Sequence, residues 1–143
     1  MLIFATTDQL KSKAIADVEN EWEITNIGIP AKIVSIELMI APDLISISSS
    51  RYIESILIKE GLDKSNAVST PLNPNITLVP NPEGTDGNRS NDYAHVLGKL
   101  QYIANATRLD IAYMVNQLAS YTSNPSIQHY SALKRILQYL SGT

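Results

Sequence analysis

Residues 93–118, YAHVLGKLQYIANATRLDIAYMVNQL, contain two apolar runs at helical spacing with a short polar interruption between them. In each run the apolar side chains recur every three or four residues, as they do along one face of an α-helix. The interruption holds Arg108 and Asp110, which are the only charges between positions 99 and 134. The stretch therefore predicts two helices that each bury one face and are joined by a charged turn.

A third helix is predicted downstream, where helical spacing resumes and continues to a stop at Gly142. Asn124 and Pro125 precede it, and an Asn cap followed by Pro at the first helical position is a common helix start. An Asp in a first turn meets the helix dipole favourably, so Asp92 and Asp110 are interpreted as helix-start residues. The three predicted core stripes are Tyr93, Val96, Leu97, Leu100 and Ile103; Ile111, Met114, Val115, Leu118 and Tyr121; and Ile127, Tyr130, Leu133, Ile136, Leu137 and Leu140.

The beginning of the sequence predicts one strand and one helix. MLIFA (1–5) is a short apolar run bounded by polar residues, as in a buried strand. Thr6 or Thr7 can cap a helix over about 8–21. The expected core stripe of this helix has a spacing of four and consists of Leu10, Ala14, Val18 and Trp22.

A β-hairpin and a further helix are predicted next. Residues 31–40 and 43–52 alternate with period two on either side of Ala41-Pro42, which indicates two paired strands. Ser48-Ser49-Ser50 then serves as strand end and cap for a helix from Arg51 that stops at Gly61. Its core stripe is Tyr52, Ile53, Ile56, Leu57 and Leu62. The expected fold class is α+β, a small antiparallel sheet (strand plus hairpin) with helices, followed by a three-helix segment.

Residues 71–91 differ in composition from the rest of the sequence. They contain four Pro, two Gly and five Asn, residues that favour turns over regular elements. The stretch predicts a linker between a first domain, 1–70, and a second domain, 92–143.

Composition and charge limit the classes of function. The 143 residues include no cysteine, which excludes disulfides, thiolate metal sites and cysteine nucleophiles and favours an intracellular location, cytoplasmic or nuclear. No run of about 18 apolar residues occurs, so no membrane span or membrane partner is expected. The net charge of −3 divides unevenly, with −6 over residues 1–87 and +3 over 88–143. A contact with a polyanion is therefore expected in the second part.

The sequence contains little evidence for a catalytic site. The histidines, His95 and His129, lie on different predicted helices and are interpreted as surface or half-buried residues. No P-loop, G-x-S-x-G or G-x-G-x-x-G motif occurs. A small hydrolase that uses Asp110 and His129 ranks last among the hypotheses, because no residues assemble a nucleophile, a base and an oxyanion donor.

Two stretches resemble a known family. RYIESILIKEGLDKSNAVSTPLNPN (51–75) resembles the segment after the primer-grip hairpin in reverse transcriptases of Ty1/copia-type retrotransposons. LGKLQYIANATRLDIAYMVNQLASYTSNPSIQHYSALKRILQYLSGT (97–143) resembles that family's signature G-x-L-x-Y-L-x-x-x-T-R-P-D-I…N-P…H-x-x-A-x-x-R-[IV]-L-R-Y-L-x-G-T. The order and spacing match along most of the chain.

The resemblance implies that 1–70 is the palm end with the primer-grip hairpin and first thumb helix, and that 92–143 is a thumb- or connection-like segment. It also implies Mg²⁺ for the intact polymerase, bound by paired Asp residues of a Y-V-D-D box. The sequence starts just after the place where that box is expected, and no acid pair in it matches those positions. No cofactor is therefore expected in this chain, and we expect it to be inactive as a polymerase by itself.

The sequence departs from the family pattern at four positions. Ser35 stands where the family has Gly, and Ser49 stands where it has Gln. Leu109 replaces the Pro of T-R-P-D-I, and Gln138 replaces the Arg of R-Y-L. The loss of a Pro at 109 is expected to loosen the junction that it would pre-set for a helix.

The resemblance implies a template–primer partner, an RNA–DNA or DNA duplex, together with the rest of the polymerase. Candidate contacts, chosen by charge, are Arg51, Lys99, Arg108, Lys134 and Arg135. Arg108 has a second interpretation, a tie between two helices. The alternative function is a stand-alone helical module that binds DNA or a protein. Because MLIFA and the hairpin over 33–48 lack an upstream partner strand, we also expect a homodimer or strand-swapped oligomer.

Overall fold

The computed structural model describes residue 3, residues 5–81 and residues 90–143, and it divides into compact units over 1–30 and 31–143. The described elements are helices and one small antiparallel sheet, so the α+β fold class is confirmed. Among these residues no helix has the length and hydropathy needed to cross a bilayer. The predicted strand over 1–5 falls mostly outside the described residues, and Ile3 and Ala5 adopt no regular structure.

The first unit contains helix α1, Asp8–Glu21, as the sequence predicted. Thr7 is its N-cap, and the Thr7 hydroxyl accepts a hydrogen bond from the Leu10 backbone N–H at 3.3 Å. The predicted core stripe is wrong, because Leu10 and Trp22 are 55% and 67% exposed. An apolar stripe is buried only when a second apolar surface covers it, and spacing alone does not supply that surface.

The second unit begins with a three-stranded antiparallel sheet, β1 Lys32–Ile33, β2 Ile36–Ala41 and β3 Leu44–Ser48. The β2–β3 hairpin is confirmed, with Ala41 opposite Leu44 across the two-residue Pro42-Asp43 turn.

A turn at Val34-Ser35 separates β1 from β2, so the single strand expected over 31–40 is wrong. Both turn residues have positive φ, 44° and 69°. A two-residue hairpin loop with positive φ at both positions matches the natural twist of the strands and favours the sequence Asn-Gly. The paired residues Ile33 and Ile36 lie on the same face, so the period-two pattern changes phase at this turn. The prediction of one strand assumed a single phase over 31–40 and therefore missed the turn.

Helix α2, Ser50–Lys59, follows the sheet directly, and its predicted core stripe is confirmed apart from Tyr52, which is half-buried. Ser49 is its N-cap. Gly61 ends the helix with φ 66°, the left-handed conformation that Gly adopts without steric cost. The Gly61 and Leu62 N–H groups donate back to Ile58 and Leu57 at 3.1 and 2.8 Å, which is the Schellman arrangement.

The remaining helices are α3 Ser90–Ala106, a 3₁₀ turn Leu109–Ile111, α4 Ala112–Ala119 and α5 Ile127–Leu140. Helix α4 packs against both α3 and α5. Together with α2 these helices enclose one hydrophobic core. Its largest fully buried apolar side chains are Tyr93, Leu100, Ile103, Ile111, Leu118, Ile136 and Val115.

Three predictions about α5 and its start are corrected. Ile127 is 70% exposed, so it does not belong to the core stripe. His129, expected at the surface or half-buried, is fully buried. The cap is Ser126 and not Asn124, because α5 begins two residues later than Asn124-Pro125 predicted. Pro125 is fully buried before the helix, where it contributes to the core.

The described part of the expected linker, residues 71–81, has no regular structure and packs along the helices. The Tyr121 hydroxyl donates to the Leu78 carbonyl at 3.2 Å. Asn81 and Asn124 are joined by two hydrogen bonds of 3.3 and 3.0 Å. Asn124 therefore holds this segment against the α4–α5 connection. The rest of the expected linker, residues 82–89, lies outside the described residues.

Candidate functional site at the ends of α3 and α5

The polar cluster at the end of α3 is built around Arg108 and Asp110. The Arg108 Nε and Nη2 atoms donate to the two carboxylate oxygens of Asp110 at 3.0 and 2.8 Å, a two-pronged pair. Arg108 is the residue before the 3₁₀ turn, and Asp110 is inside it. Asp110 lies in the first turn, as the sequence predicted, and it is also an ion-pair partner.

The same cluster connects α5 to the segment between α3 and α4 that holds Arg108 and Asp110. The Tyr139 hydroxyl donates to Asp110 Oδ2 at 2.8 Å. Arg108 also donates to Thr143, from Nη2 to the hydroxyl at 2.6 Å and from Nη1 to the carbonyl at 3.3 Å. The Arg108 guanidinium carbon lies 5.5 Å from the centre of the Tyr139 ring. Of the two interpretations of Arg108, this geometry supports the tie between helices.

The hydrogen bonds of this cluster shift the pKa values of its members. Hydrogen bonds donated by Arg108 lower the pKa of Asp110 to about 2, although partial burial acts in the opposite direction. The bond to Asp110 raises the pKa of Arg108 and also that of Tyr139. Each shift favours the form that holds the cluster together, so Asp110 is a carboxylate and Arg108 a cation throughout the physiological range.

A half-open cleft of about 360 Å³ lies beside the cluster. Hydroxyl groups line much of it, contributed by Ser48, Ser49, Ser50, Thr107, Ser141 and Thr143. Ser49 is buried, and its hydroxyl accepts a hydrogen bond from Thr107 at 2.9 Å. Glu54 and Asp63 also line the cleft, so its charge is mixed and does not select an anion.

A second group of contacts lies along α5, where the segment 67–70 runs beside the helix. The Val68 N–H donates to the Gln138 carbonyl at 3.4 Å, and Arg135 donates to the Thr70 carbonyl and hydroxyl at 3.1 and 3.0 Å. At Gly142, an added Cβ would lie 2.6 Å from Ala67 Cβ. Gly142, expected only as a helix stop, is thus also required for the close approach of this segment.

Most of the candidate cations already have partners within the chain. Arg51 Nε pairs with Glu37 at 2.8 Å, and Lys99 lies 3.6 Å from Glu60. Arg108 and Arg135 make the contacts given above. Lys134 is exposed and has no ion pair within the described residues. Four of the five candidates are therefore engaged within the chain.

His129 has a structural environment that the sequence analysis missed. Its Nδ1 atom accepts a hydrogen bond from the Ser126 backbone N–H at 2.8 Å, so the neutral ring carries its proton on Nε2. The ring stacks on Tyr121 with a centroid distance of 4.0 Å. Burial lowers the pKa of His129, and the backbone of Val79 acts in the opposite direction. Ser126 followed three residues later by a side-chain acceptor was the available sequence signal for this cap.

Within the described residues, no group of three or more His, Asp or Glu side chains is arranged to hold a metal ion. Asp110 and His129, the pair considered for hydrolysis, have separate sets of partners. Asp110 bonds to Arg108 and Tyr139, whereas His129 bonds to Ser126.

Comparisons with known proteins identify the class. No family model and no solved structure matches the chain. The retrovirus-related Pol polyproteins from transposons RE1 and RE2 of Arabidopsis thaliana are 37% and 36% identical over 112 residues, 77% of this chain. The Pol polyprotein from transposon TNT 1-94 of Nicotiana tabacum is 29% identical over 150 residues, covering the whole chain.

The chain belongs to the copia-type retrovirus-related Pol polyproteins, and it corresponds to one region of them. It spans 7% of the length of the RE1 and RE2 proteins and 11% of the TNT 1-94 protein. Two parts of the signature meet in the polar cluster, since T-R-x-D contributes Arg108 and Asp110, and Y-L-x-G-T contributes Tyr139 and Thr143.

Proposed function

We propose that this chain is the part of a copia-type reverse transcriptase that follows the catalytic acidic box, and that it supports a primer–template duplex without performing catalysis itself. The observation that carries the proposal is the ordered signature over 97–143, in which Arg108, Asp110, Tyr139 and Thr143 form one connected cluster. The signature residues hold together two helix ends that are far apart in sequence. Helix ends fastened in this way provide a rigid support for a duplex-binding surface.

The position of the first hairpin turn supports the same function. The Tyr102 hydroxyl on α3 donates to the Val34 carbonyl in the β1–β2 turn. The Tyr102 ring also meets Tyr52 of α2 edge to face, with centroids 5.6 Å apart. A turn held in this way on two helices can present its backbone to a nucleic-acid strand at a fixed place, which is the role that the resemblance implies for the primer-grip hairpin.

Charge determines how strong the contact is expected to be. Four of the five candidate cations are engaged within the chain, and Lys134 is the exposed one without an ion pair among the described residues. Each phosphate neutralised contributes about one unit to the salt dependence of binding. We therefore expect weak binding with a log–log salt slope of roughly −1 to −2.

A gel-shift titration on an RNA–DNA hybrid at low salt tests the proposal. The parent chain should shift the hybrid, and Lys134→Gln should weaken the complex by about three- to ten-fold through loss of a phosphate contact. Lys64→Gln is the matched control, because it removes an exposed cation from a different part of the same unit. No shift even at low salt, or an equal effect of both variants, would remove the nucleic-acid role. Sequence-specific protection in a footprint would favour the helical binding module instead.

A further inference from the structure

Strand β3 forms a free edge of the sheet. The strand order is β1-β2-β3, and within the described residues no strand pairs with the outer side of β3. Backbone groups of alternate residues along such an edge point away from the sheet and can pair with another strand. Edge strands in monomeric proteins commonly carry charges or Pro that prevent pairing, but β3 reads LISIS and has neither.

The two faces of the sheet differ in composition. The register places Leu38 opposite Ile47 and Ile40 opposite Ile45, so these four side chains share one face. Ile33 and Ile36 are paired and extend the same face. Ile45 and Ile47 are 53% and 52% exposed at the edge of this apolar face. The apolar face therefore continues to the boundary where a further strand would add.

The sequence of β3 is complementary to itself. Antiparallel pairing of two copies about Ser46 places Ile45 of each copy opposite Ile47 of the other. The apolar faces of the two sheets then join. Each row runs from Leu38 and Ile47 of one copy to Ile45 and Ile40 of the other. A slip of one residue would place each Ile opposite a Ser or Leu of the other face, so the pattern disfavours it. Pairing about Ser46 is the register that places both Ile45 and Ile47 of each copy opposite an Ile of the other.

Charge is complementary in the same register. Asp43 comes just before β3, and Ser49, just after it, is the N-cap of α2, so this register brings Asp43 toward the start of α2 in the second copy. Helix α2 has no acidic residue in its first turn, and the buried Ser49 hydroxyl is bonded to Thr107 and not to the helix N–H groups. The Ser50 N–H donates to the Ser48 hydroxyl at 3.2 Å. Arg51 lies in that first turn with its side chain 84% exposed, and its Nε atom pairs with Glu37. A carboxylate at this place is favoured by the helix dipole and by the Arg51 cation.

We propose that the occupant of the β3 edge is a second copy of this chain. The two copies pair antiparallel about Ser46 and form a two-fold symmetric dimer with a continuous six-stranded sheet. The interface is isologous, because each copy contributes the same β3 strand and the same pairing of Asp43 with the start of α2. This inference rests on the sheet and is independent of any binding to nucleic acid.

Sedimentation equilibrium of the whole chain at roughly 10–200 µM tests the dimer and its register. The parent chain should show a monomer–dimer equilibrium. Ile45→Lys and Ile47→Glu should each raise the dissociation constant by roughly ten-fold or more, because two cross-strand apolar pairs are lost at once. In the double variant each introduced lysine lies opposite an introduced glutamate, and this variant should regain most of the dimer.

Met39→Lys is the matched control, since Met39 is exposed on the opposite face and away from the edge. It should leave the dissociation constant unchanged, and circular dichroism should show that all variants remain folded. A parent chain that stays monomeric over this range overturns the dimer. Single variants that dimerise like the parent, or a double variant that remains monomeric, overturn the proposed pairing of residue 45 with residue 47.

Discussion

Both carboxylate oxygens of Asp110 accept hydrogen bonds from the Arg108 guanidinium, and that guanidinium also donates to Thr143, three residues beyond the end of α5. The two partners of the ion pair are two residues apart, but Thr143 is 35 residues from Arg108. The Arg108–Asp110 ion pair is local in sequence, but Arg108 also makes a long-range contact with Thr143. Its main consequence is to fasten α5 to the α3–α4 junction.

Asp110→Asn is expected to destabilise the fold by about 1 kcal/mol at pH 7, because a largely solvent-screened ion pair is weakened. The Asp110 side chain is 39% exposed, which is why the expected effect is no larger. The pKa of Asp110 is lowered in the folded chain, so its contribution is present above about pH 4 and is lost as the pH falls toward 2.

Urea unfolding at pH 7, 4 and 3 measures this contribution. The parent chain should lose more stability between pH 4 and 3 than the Asp110→Asn variant does. Asp17→Asn, at an exposed site on α1, should retain the parent's acid response. A parent and an Asp110→Asn variant with the same acid response would contradict the role given to the ion pair.

Ser35→Gly is expected to stabilise the chain by about 0.5–1 kcal/mol. Ser35 has φ 69°, where a side chain is disfavoured and Gly is not. Val34, also at positive φ, is a β-branched residue in the same turn, so adding Val34→Asn should increase the gain. Thermal unfolding of both variants beside Ser35→Ala checks this, since Ala keeps the Cβ and should give no gain. A Ser35→Gly variant that melts below the parent would show that the turn does not depend on this conformation.

Gly142→Ala is expected to destabilise the chain by about 1–3 kcal/mol, because the new Cβ would overlap Ala67. Gly98→Ala provides the comparison within a helix, where nothing lies within 4 Å of the added atom. That substitution should stabilise α3 by about 0.5–1 kcal/mol. Denaturant midpoints for both should move in opposite directions, and adding Ala67→Gly to Gly142→Ala should restore part of the loss. Equal shifts at the two glycines would refute close packing at Gly142.

The stability of the fold should fall as the pH drops below about 6.5, because burial lowers the pKa of His129. The unfolded chain binds a proton there before the folded chain does, so acidification favours unfolding. His129→Gln keeps an acceptor for the Ser126 N–H but cannot titrate, and it should flatten the pH dependence between 6.5 and 5. It should also cost about 1–2 kcal/mol at pH 8 through loss of the stacked ring.

Urea unfolding at pH 8, 6.5 and 5 measures the effect of His129. His95→Gln removes the exposed histidine of α3 and should leave the pH dependence as in the parent. If His129→Gln and the parent lose the same stability on acidification, the buried ring is not the titrating group.

Much of the fold could be predicted because local pattern and burial agree. The stripes of α3 and α4 were predicted from spacing, and their members are buried, apart from half-buried Tyr121. The bounds of α1 were also predicted, but its stripe was wrongly placed in the core. Helix formation depends on nearby residues, whereas burial requires a second apolar surface that is distant in sequence.

The candidate site was only partly predictable for the same reason. Arg108 was selected for its charge, and one of its two interpretations, the tie between helices, matches its contacts. Tyr139 and Thr143 were not selected, because an uncharged hydroxyl at the end of an apolar helix has no distinctive local pattern. Both residues are part of the family signature, but the signature does not indicate what they contact.

The sequence by itself determined the family, the α+β class and most helix positions, since these follow from motif order, periodicity and the chemistry of caps and stops. Tertiary structure alone decided that Arg108, Asp110, Tyr139 and Thr143 bond to one another, that His129 is buried, and that Ser35 occupies a left-handed turn. These features depend on which distant segments meet. Packing and hydrogen bonding between distant segments determine these contacts, and the residues near each position in the sequence do not specify them.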